Sequence, residues 1–277
     1  MAPLEGEEPP RPTGKPEPSS DGDIPQIRSR QNGVIRRVRA VAAGKEKGLA
    51  LLEGERLILD ALESGLEFEA ILFEPRVRIP KDLHGHPAVR RVPEDGLAGL
   101  GSLKKSPGAL ALACPPRLRA LAEFRSDPAG LWICASGLAD PANLGAVARA
   151  AEAAGARGML VATQGVRPFH PRALRASMGS LLRLDLVELQ PGDELRVEGV
   201  HHRFAATRGG VDYREATWPR PLVIWMGDER GERVVEPPTS AEAVTIPMAG
   251  RAESLNAATA AALLLFEATR SERCLHS

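Results

Sequence analysis

From residue 131 onward, short apolar runs alternate with segments of helical periodicity, and this alternation limits the possible folds more than any other feature. Strands that alternate with helices favour an α/β fold with a mostly parallel sheet and helices on both faces. Such sheets bind ligands beyond the carboxyl ends of their strands. The predicted strands are 131–135, 158–162, 183–188, 203–207, 221–226 and 244–246. One predicted helix begins at Asp140, a second runs from Pro171 to Ser180, and a third runs from Ser254 to about Arg270.

The stretch DPANLGAVARAAEAAG, residues 140–155, is the best-defined helix of the chain. Asp140 suits the N-cap, Pro141 the first helical position and Gly155 the C-terminal stop. A spacing of three and four residues predicts one buried face. That face contains Leu144, Val147, Ala148, Ala151 and Ala154.

Arg149 lies on a different side of this helix, together with Ala142, Gly145 and Glu152. The two small residues would leave a groove through which the guanidinium could meet a phosphate. The alternative is a solvated ion pair between Arg149 and Glu152, which stabilises a helix by a few tenths of a kcal/mol. The helix alone does not decide between them.

The N-terminal part of the chain contains a block of arginines that no acidic residue interrupts. Such a block is the expected electrostatic footprint for binding a phosphate backbone, although composition alone equally allows a solvated basic helix face. The next segments predict a small α/β unit, with strands at 49–52 and 68–73 around a helix at 55–64 and further strands at 88–92 and 109–113. The arginines of this basic block are Arg28, Arg30, Arg36, Arg37 and Arg39.

The length of 277 residues allows two domains. We predict a disordered Pro- and Glu-rich tail at 1–24, a first domain at 25–118, a linker at 119–129 and a second domain at 130–277. Lys plus Arg and Asp plus Glu both number 36, so the net charge indicates no partner. No apolar run is long enough to span a bilayer, so no membrane partner is predicted.

The cysteines and histidines do not indicate a metal site. Cys114, Cys134 and Cys274 are far apart and lack CxxC spacing, which favours a reducing compartment and hence the cytoplasm. The HGH sequence at 84–86 has no evident third ligand. The pair at 201–202 lies in a polar stretch and is predicted to be a solvated loop.

Three of the predicted strands end in unusual loops. Glycines in MGDERG, residues 226–231, would let a ligand approach the backbone, and Glu229 offers an acceptor. The sequence IPMAG at 246–250 follows another strand, and Ser254 is the predicted cap of the last helix. Thr207 ends a third strand. The sequence contains neither GxGxxG nor GxxxxGK[ST], the two usual nucleotide-binding motifs.

Four segments together resemble the motifs of the SPOUT RNA methyltransferases, specifically the TrmH-like 2′-O-ribose branch. They are DPANLGAVARAAEAAGA, PRALRASMGSLLRL, LVIWMGDERGE and VTIPMAGRAESLNAATAAALLLFE. The N-terminal sequences SRQNGVIRRVRA and LLEGERLILDAL are similar to the substrate-binding domain that precedes the catalytic domain in many relatives. One departure is present: relatives usually have glycine where this chain has Glu232, and here a glycine comes one residue earlier.

The resemblance implies a C-terminal trefoil knot, a homodimer and S-adenosylmethionine-dependent methylation of a ribose 2′-hydroxyl in RNA. Ribosomal and transfer RNA targets share this catalytic domain, and the N-terminal domain favours ribosomal RNA. Two other interpretations stay open: a non-catalytic RNA-binding protein of the same fold, for example in ribosome assembly, and methylation of a base. The latter is disfavoured because the motifs contain no cysteine or acidic nucleophile. No metal is implied.

The resemblance also implies roles for individual residues, transferred position by position. Arg149, Asn143, Ser254 and Asn256 would be catalytic; Thr207, Gly227, Glu229, Ile246, Met248 and Leu255 would bind the cofactor; and Arg28, Arg30, Asn32, Arg36, Arg37 and Arg39 would bind RNA.

Overall fold

The structure, a computed structural model, describes residues 24–103, 105–162, 166–206, 209–227 and 233–270. The predicted tail lies, except for Ile24, outside the described residues. The described chain forms one four-stranded sheet and one eight-stranded sheet.

The smaller sheet has the order β1-β4-β2-β3, with β3 parallel to β2 and β4 antiparallel to both of its neighbours. Strand β4 is a continuous apolar run, and β1 and β2 are mostly apolar, because both faces of the sheet are covered: α1 packs on one face through Ile35, Val38 and Val41, and the other face belongs to the same core as α2. The elements are α1 Gly33–Ala42, β1 Ala50–Glu53, α2 Glu55–Glu63, β2 Phe68–Phe73, β3 Val89–Arg91 and β4 Ala109–Ala113.

The larger sheet has the order β10-β12-β9-β11-β6-β7-β8-β5, and every pair of neighbouring strands is parallel. This confirms the predicted α/β class. The strands are β5 Arg119–Ala120, β6 Leu131–Ala135, β7 Gly158–Ala162, β8 Asp185–Leu189, β9 His201–Ala205, β10 Val211–Asp212, β11 Leu222–Met226 and β12 Glu242–Thr245. The helices are α3 Pro141–Ala153, α4 Pro171–Ser177, α5 Ser180–Arg183 and α6 Ala257–Ala268.

The two faces of the larger sheet are covered differently. Helices α3 to α6 share a core with one face. On the other face, within the described ranges, the covering side chains include Phe124, Leu195 and Val235, which lie outside the α-helices. This detail departs from the expectation of helices on both faces. The stretch PGDELRVEG at 191–199 is interrupted by proline and glycine, which disfavour a helix there.

Three local predictions need correction. The helix predicted at 171–180 is two helices, because Met178 and Gly179 have φ of 49° and 86° and interrupt it. The last helix begins after Asn256, whose side chain accepts the backbone N–H groups of Ala258 and Thr259, so Ser254 is not its cap. His201 and His202 belong to β9 and not to a loop.

The two sheets share one hydrophobic core. Leu52 of β1 and Ile58 of α2 belong to the same buried cluster as Leu174 of α4 and Leu181 of α5. The predicted domain boundaries stay predictions; two residues of the predicted linker form β5 and pair with β8. The knot also stays a prediction, because residues 207–208 and 228–232, which follow β9 and β11 in the sequence, lie outside the described residues.

Candidate active site

A cleft that is open to solvent lies where β9, β11 and β12 end. We call it the apolar cleft. Four residues predicted to bind the cofactor line it: Gly227, Ile246, Met248 and Leu255. Ser254, predicted to be catalytic, lines it as well. Thr207 and Glu229, together with the departure at Glu232, lie outside the described residues.

The walls of the apolar cleft follow from the ends of its strands. Gly227 is buried directly after β11, so its backbone is at the wall without a side chain in front of it. The chain from 246 to 256 is neither helix nor strand and brings its backbone along the opposite side. The sequence analysis did not predict the other apolar residues that line the cleft, because small aliphatic residues form no recognisable functional pattern. These are Ala205, Ala206, Met226, Val244, Ala257, Ala260 and Leu264.

Asn143 and Asn256 meet although they are far apart in the sequence. The Nδ2 of Asn256 donates to the Oδ1 of Asn143 at 3.0 Å. The Oδ1 of Asn256 accepts the backbone N–H of Ala258 at 2.9 Å. The amide therefore joins the first turn of α3 to the start of α6, directly after the segment that lines the apolar cleft.

Arg149 is exposed on α3 and is not among the residues that line the apolar cleft. The ion pair with Glu152 does not form, because Glu152 binds Arg183, with Nη2 to Oε2 at 2.9 Å. The hydrogen bond from Arg183 lowers the pKa of Glu152 despite partial burial. Within the described part of the chain, Arg149 has no ion pair or hydrogen bond of its side chain.

The predicted groove beside Arg149 is closed. Gly145 is buried, and a Cβ at this position would overlap the carbonyl oxygen of Ala173 in α4. The glycine therefore permits close packing of α3 against α4 and does not form a ligand channel. Arg149 remains accessible because its own side of the helix faces solvent.

The basic block is only partly free to meet RNA. Arg28, Arg30, Arg36 and Arg39 are exposed. Asn32 is the N-cap of α1, and its Oδ1 accepts the backbone N–H of Val34 at 2.9 Å. Arg37 forms ion pairs with Glu46 and with Glu69, the latter at 2.5 Å, so its charge is partly neutralised within the protein.

His202 is a buried polar residue that the sequence interpretation placed in solvent. It is 4% exposed, and its Nδ1 lies 3.1 Å from Nε1 of Trp225, which donates the hydrogen bond. Burial, with a smaller contribution from His201, lowers the pKa of His202 to about 4. The imidazole is therefore neutral at pH 7 and acts as an acceptor inside the sheet layer.

Two further findings concern the described residues alone. Among them, no cluster of three or more His, Cys, Asp and Glu side chains could hold a metal ion. Their helices are also too short or too polar for any to cross a bilayer.

Comparison with known proteins gives consistent matches. Residues 130–266 match the SpoU rRNA Methylase family. A Bacillus subtilis protein named 23S rRNA (guanosine(2553)-2′-O)-methyltransferase RlmP is 29% identical over 249 residues, which cover 87% of this chain and 98% of the relative.

Two solved structures match almost their whole length. The AdoMet-bound rRNA methyltransferase from Sinorhizobium meliloti has a TM-score of 0.79 and 28% identity, covering 90% of this chain and 98% of that one. A structure described as an RNA 2′-O ribose methyltransferase has a TM-score of 0.71 and 32% identity, covering 90% and 99%.

Proposed function

The chain belongs to the SpoU rRNA methylase family, and on this premise we propose that it transfers a methyl group from S-adenosylmethionine to a ribose 2′-hydroxyl of ribosomal RNA. The observation that supports this most is the apolar cleft, which gathers Gly227, Ile246, Met248 and Leu255 from two separate stretches of chain. The Bacillus subtilis relative is named for 23S rRNA, so the large-subunit RNA is our proposed substrate, methylated in the cytoplasm.

The residues of the apolar cleft fit S-adenosylmethionine. Apolar walls from Met226, Val244 and Leu264 suit an adenine ring. Backbone groups at Gly227 and around Met248 would supply hydrogen bonds, and the exposed Glu253 at the rim offers a carboxylate to a positively charged group. When bound, the cofactor supplies an electrophilic sulfonium methyl group.

The chain's own residues have mainly a positioning task. A ribose hydroxyl is a weak nucleophile at neutral pH, so alignment and stabilisation of developing alkoxide charge matter most. Arg149 would bind the phosphate next to the target ribose and lower the cost of that charge. An arginine is normally protonated, which makes it a poor general base. Asn143 and Asn256 would hold the two helix starts together, with Ser254 between them and the apolar cleft.

We propose that the protein acts as a homodimer. Helix α6 is apolar on nearly all sides, a pattern typical of a helix that is buried all round, yet Leu263 and Phe266 are 37% and 38% exposed. Arg149 is exposed outside the apolar cleft on α3, which packs against α6. A second copy bound over α6 would cover the apolar side chains and could place its Arg149 at the apolar cleft of the first.

The test combines cofactor binding, oligomeric state and turnover in the full-length protein. We expect micromolar binding of S-adenosylmethionine by calorimetry, a dimer by light scattering, and a 2′-O-methyl group in an unmodified 23S rRNA transcript. The variant Arg149→Ala should keep cofactor binding and lose about 100-fold or more of the methylation rate. Arg149→Lys tests whether the planar guanidinium is needed.

Each arm of this test can fail separately. RNA binding without cofactor binding would favour the non-catalytic alternative. An active protein that is strictly monomeric would contradict the dimer, and normal turnover of Arg149→Ala would remove Arg149 from the mechanism.

A further inference from the structure

The loop and helix start that follow β7 bring basic side chains to the junction between the two sheets. Arg167 is exposed, and a Cβ on Gly44 would lie 2.6 Å from its Nη2, so Arg167 lies against the end of α1. Gly44 has φ of 70°, which also favours glycine. Arg167 thus belongs to the larger sheet in sequence but touches the element that contains part of the basic block.

Two more side chains continue this surface towards the active site. Arg172 is 50% exposed, and its Nη2 lies 3.2 Å from Oδ1 of Asp140. His170 lies between the two arginines in sequence, and its Nδ1 accepts the backbone N–H of Arg172 at 3.1 Å. Partial burial, followed by the charges of Arg172 and Arg167, lowers the pKa of His170. We call Arg167, His170 and Arg172 the junction strip.

The junction strip reaches the active site through a short series of contacts. Asp140, the partner of Arg172, is the N-cap of α3, and its Oδ1 accepts the backbone N–H of Ala142 at 3.0 Å. Asn143 follows in the first turn and binds Asn256 at 3.0 Å. Ser254 and Leu255, just before Asn256, line the apolar cleft. The carboxyl ends of β7, β6 and β11 also lie side by side in the sheet.

The acidic groups beside this surface are already neutralised. Glu53 is 6% exposed; its Oε2 lies 2.7 Å from Nη1 of Arg175 and accepts the Oγ hydrogen of Ser102 at 2.6 Å. Asp140 is paired with Arg172. Arg167, in contrast, has no acidic partner among the described residues. The exposed charge of the junction strip is therefore positive, which complements a chain of phosphates.

We propose that the RNA substrate crosses from the basic block to the apolar cleft over the junction strip, with Arg167 and Arg172 each binding a backbone phosphate. This inference rests on the proposed function for the identity of the RNA. Arg172 retains guanidinium N–H groups beyond the contact with Asp140, because an arginine has five donors. The strip positions the RNA and does not take part in methyl transfer.

The experiment compares two double variants of the full-length protein. Arg167→Gln with Arg172→Gln removes the proposed contacts. Arg125→Gln with Arg157→Gln removes two exposed arginines that precede β6 and β7, at the opposite edge of the same sheet. Binding to an unmodified 23S rRNA fragment is measured by fluorescence anisotropy between 50 and 300 mM salt, and S-adenosylmethionine binding by calorimetry.

We expect the junction variant to bind RNA about tenfold more weakly, with the slope of log K against log salt reduced by about two. Cofactor affinity should stay within about twofold, the KM for RNA should rise and kcat should be nearly unchanged. Arg167→Lys should restore most of the affinity of Arg167→Gln, because a phosphate accepts either cation. The control variant should behave as the wild type.

Equal affinity and equal salt slopes for the two double variants would overturn the proposal, as would a fall in kcat at unchanged KM. The measurement of RNA binding does not require methylation activity. If the junction variant binds weakly as expected while the wild type methylates nothing, the proposed function fails and the RNA path stands. If methylation occurs and the variants do not differ, the RNA path alone is wrong.

Discussion

The apolar cleft and the junction between the two sheets are neighbouring regions of opposite chemical character. The apolar cleft is lined by small aliphatic side chains and exposed backbone, with Glu253 and Ser254 as its polar side chains. The junction consists of charged side chains: Arg175 meets the buried Glu53, and Arg183 lies near the buried Asp60. The exposed backbone and fixed shape of the apolar cleft suit a small cofactor, because the same molecule binds in every turnover. Charges suit the alignment of the two sheets and of a long polyanion.

The comparison also explains which changes each region tolerates. In the apolar cleft, volume matters and charge is nearly absent. At the junction, a buried carboxylate needs its partner, because an uncompensated buried charge is costly. Filling the cleft should therefore abolish binding without unfolding the protein. Removing a junction arginine should weaken the fold without filling the cleft.

Gly227→Trp is expected to have the largest effect. A tryptophan side chain at the buried wall would occupy the space of the ligand and weaken S-adenosylmethionine binding by about a thousandfold or more, equal to about 4 kcal/mol. Calorimetry measures this directly, with circular dichroism to verify folding. Gly250→Trp is the matched control, because Gly250 is exposed, does not line the cleft, and a Cβ there would meet no atom within 4 Å. Similar affinities for the two variants would contradict the assignment of the apolar cleft.

Arg175→Ala tests the junction and should lower the free energy of unfolding by about 3 kcal/mol. It leaves the Glu53 carboxylate buried with only the donors of Ser102. Arg172→Ala removes an arginine whose partner, Asp140, is 46% exposed. This substitution should lower the free energy of unfolding by less than about 1 kcal/mol. Chemical denaturation of both variants gives the comparison. If both substitutions lower the free energy of unfolding by the same amount, the burial of Glu53 does not make its ion pair more important to stability than the exposed pair.

The smallest expected effect is on the protonation of His170. Burial and the charges of Arg172 and Arg167 keep its pKa below the ordinary value in the free protein. Phosphates bound to those arginines would favour the charged imidazole, so RNA should raise the pKa of His170 and S-adenosylmethionine should leave it unchanged. Binding that raises a pKa takes up a proton, so RNA affinity should increase, by less than about tenfold, as the pH falls through the range where His170 titrates.

Proton NMR of the histidine ring in the full-length protein, titrated with and without a 23S rRNA fragment, measures this pKa. The variant His170→Asn identifies the resonance and should remove the pH-dependent part of the affinity. A pKa that responds to the cofactor and not to RNA would reverse the roles that we give to the two regions.

Local pattern was sufficient to predict most of the secondary structure and much of the apolar cleft. The strands at 68–73, 109–113, 131–135 and 158–162 were predicted with the bounds that the structure has, because continuous apolar runs mark strands covered on both faces. The N-cap Asp140 and the stop at Gly155 depend on neighbouring residues alone. Gly227, Ile246, Met248 and Leu255, which line the apolar cleft, were predicted as cofactor residues because the resemblance aligns loop sequences.

Predictions were wrong where the partner is distant in sequence. Glu152 binds Arg183 and not Arg149, and Gly145 packs against α4, because another helix approaches that side of α3. His202 is buried because β9 lies inside the sheet, next to β11 and its Trp225. The polar residues around His202 in the sequence predicted a solvated loop. The α1 helix itself was not predicted, although a basic helix face had been left open.

The sequence by itself therefore determined most of the strands and helices and where several of them end, and it singled out loops that line the apolar cleft. Hydrophobic period, capping residues and glycine act over a few residues, so they can be read in order along the chain. Only the tertiary structure decided which charges meet, which arginines stay exposed and how the basic block connects to the apolar cleft. Glu53 and Arg175 are 122 residues apart, and pairing across that distance depends on how the two sheets pack.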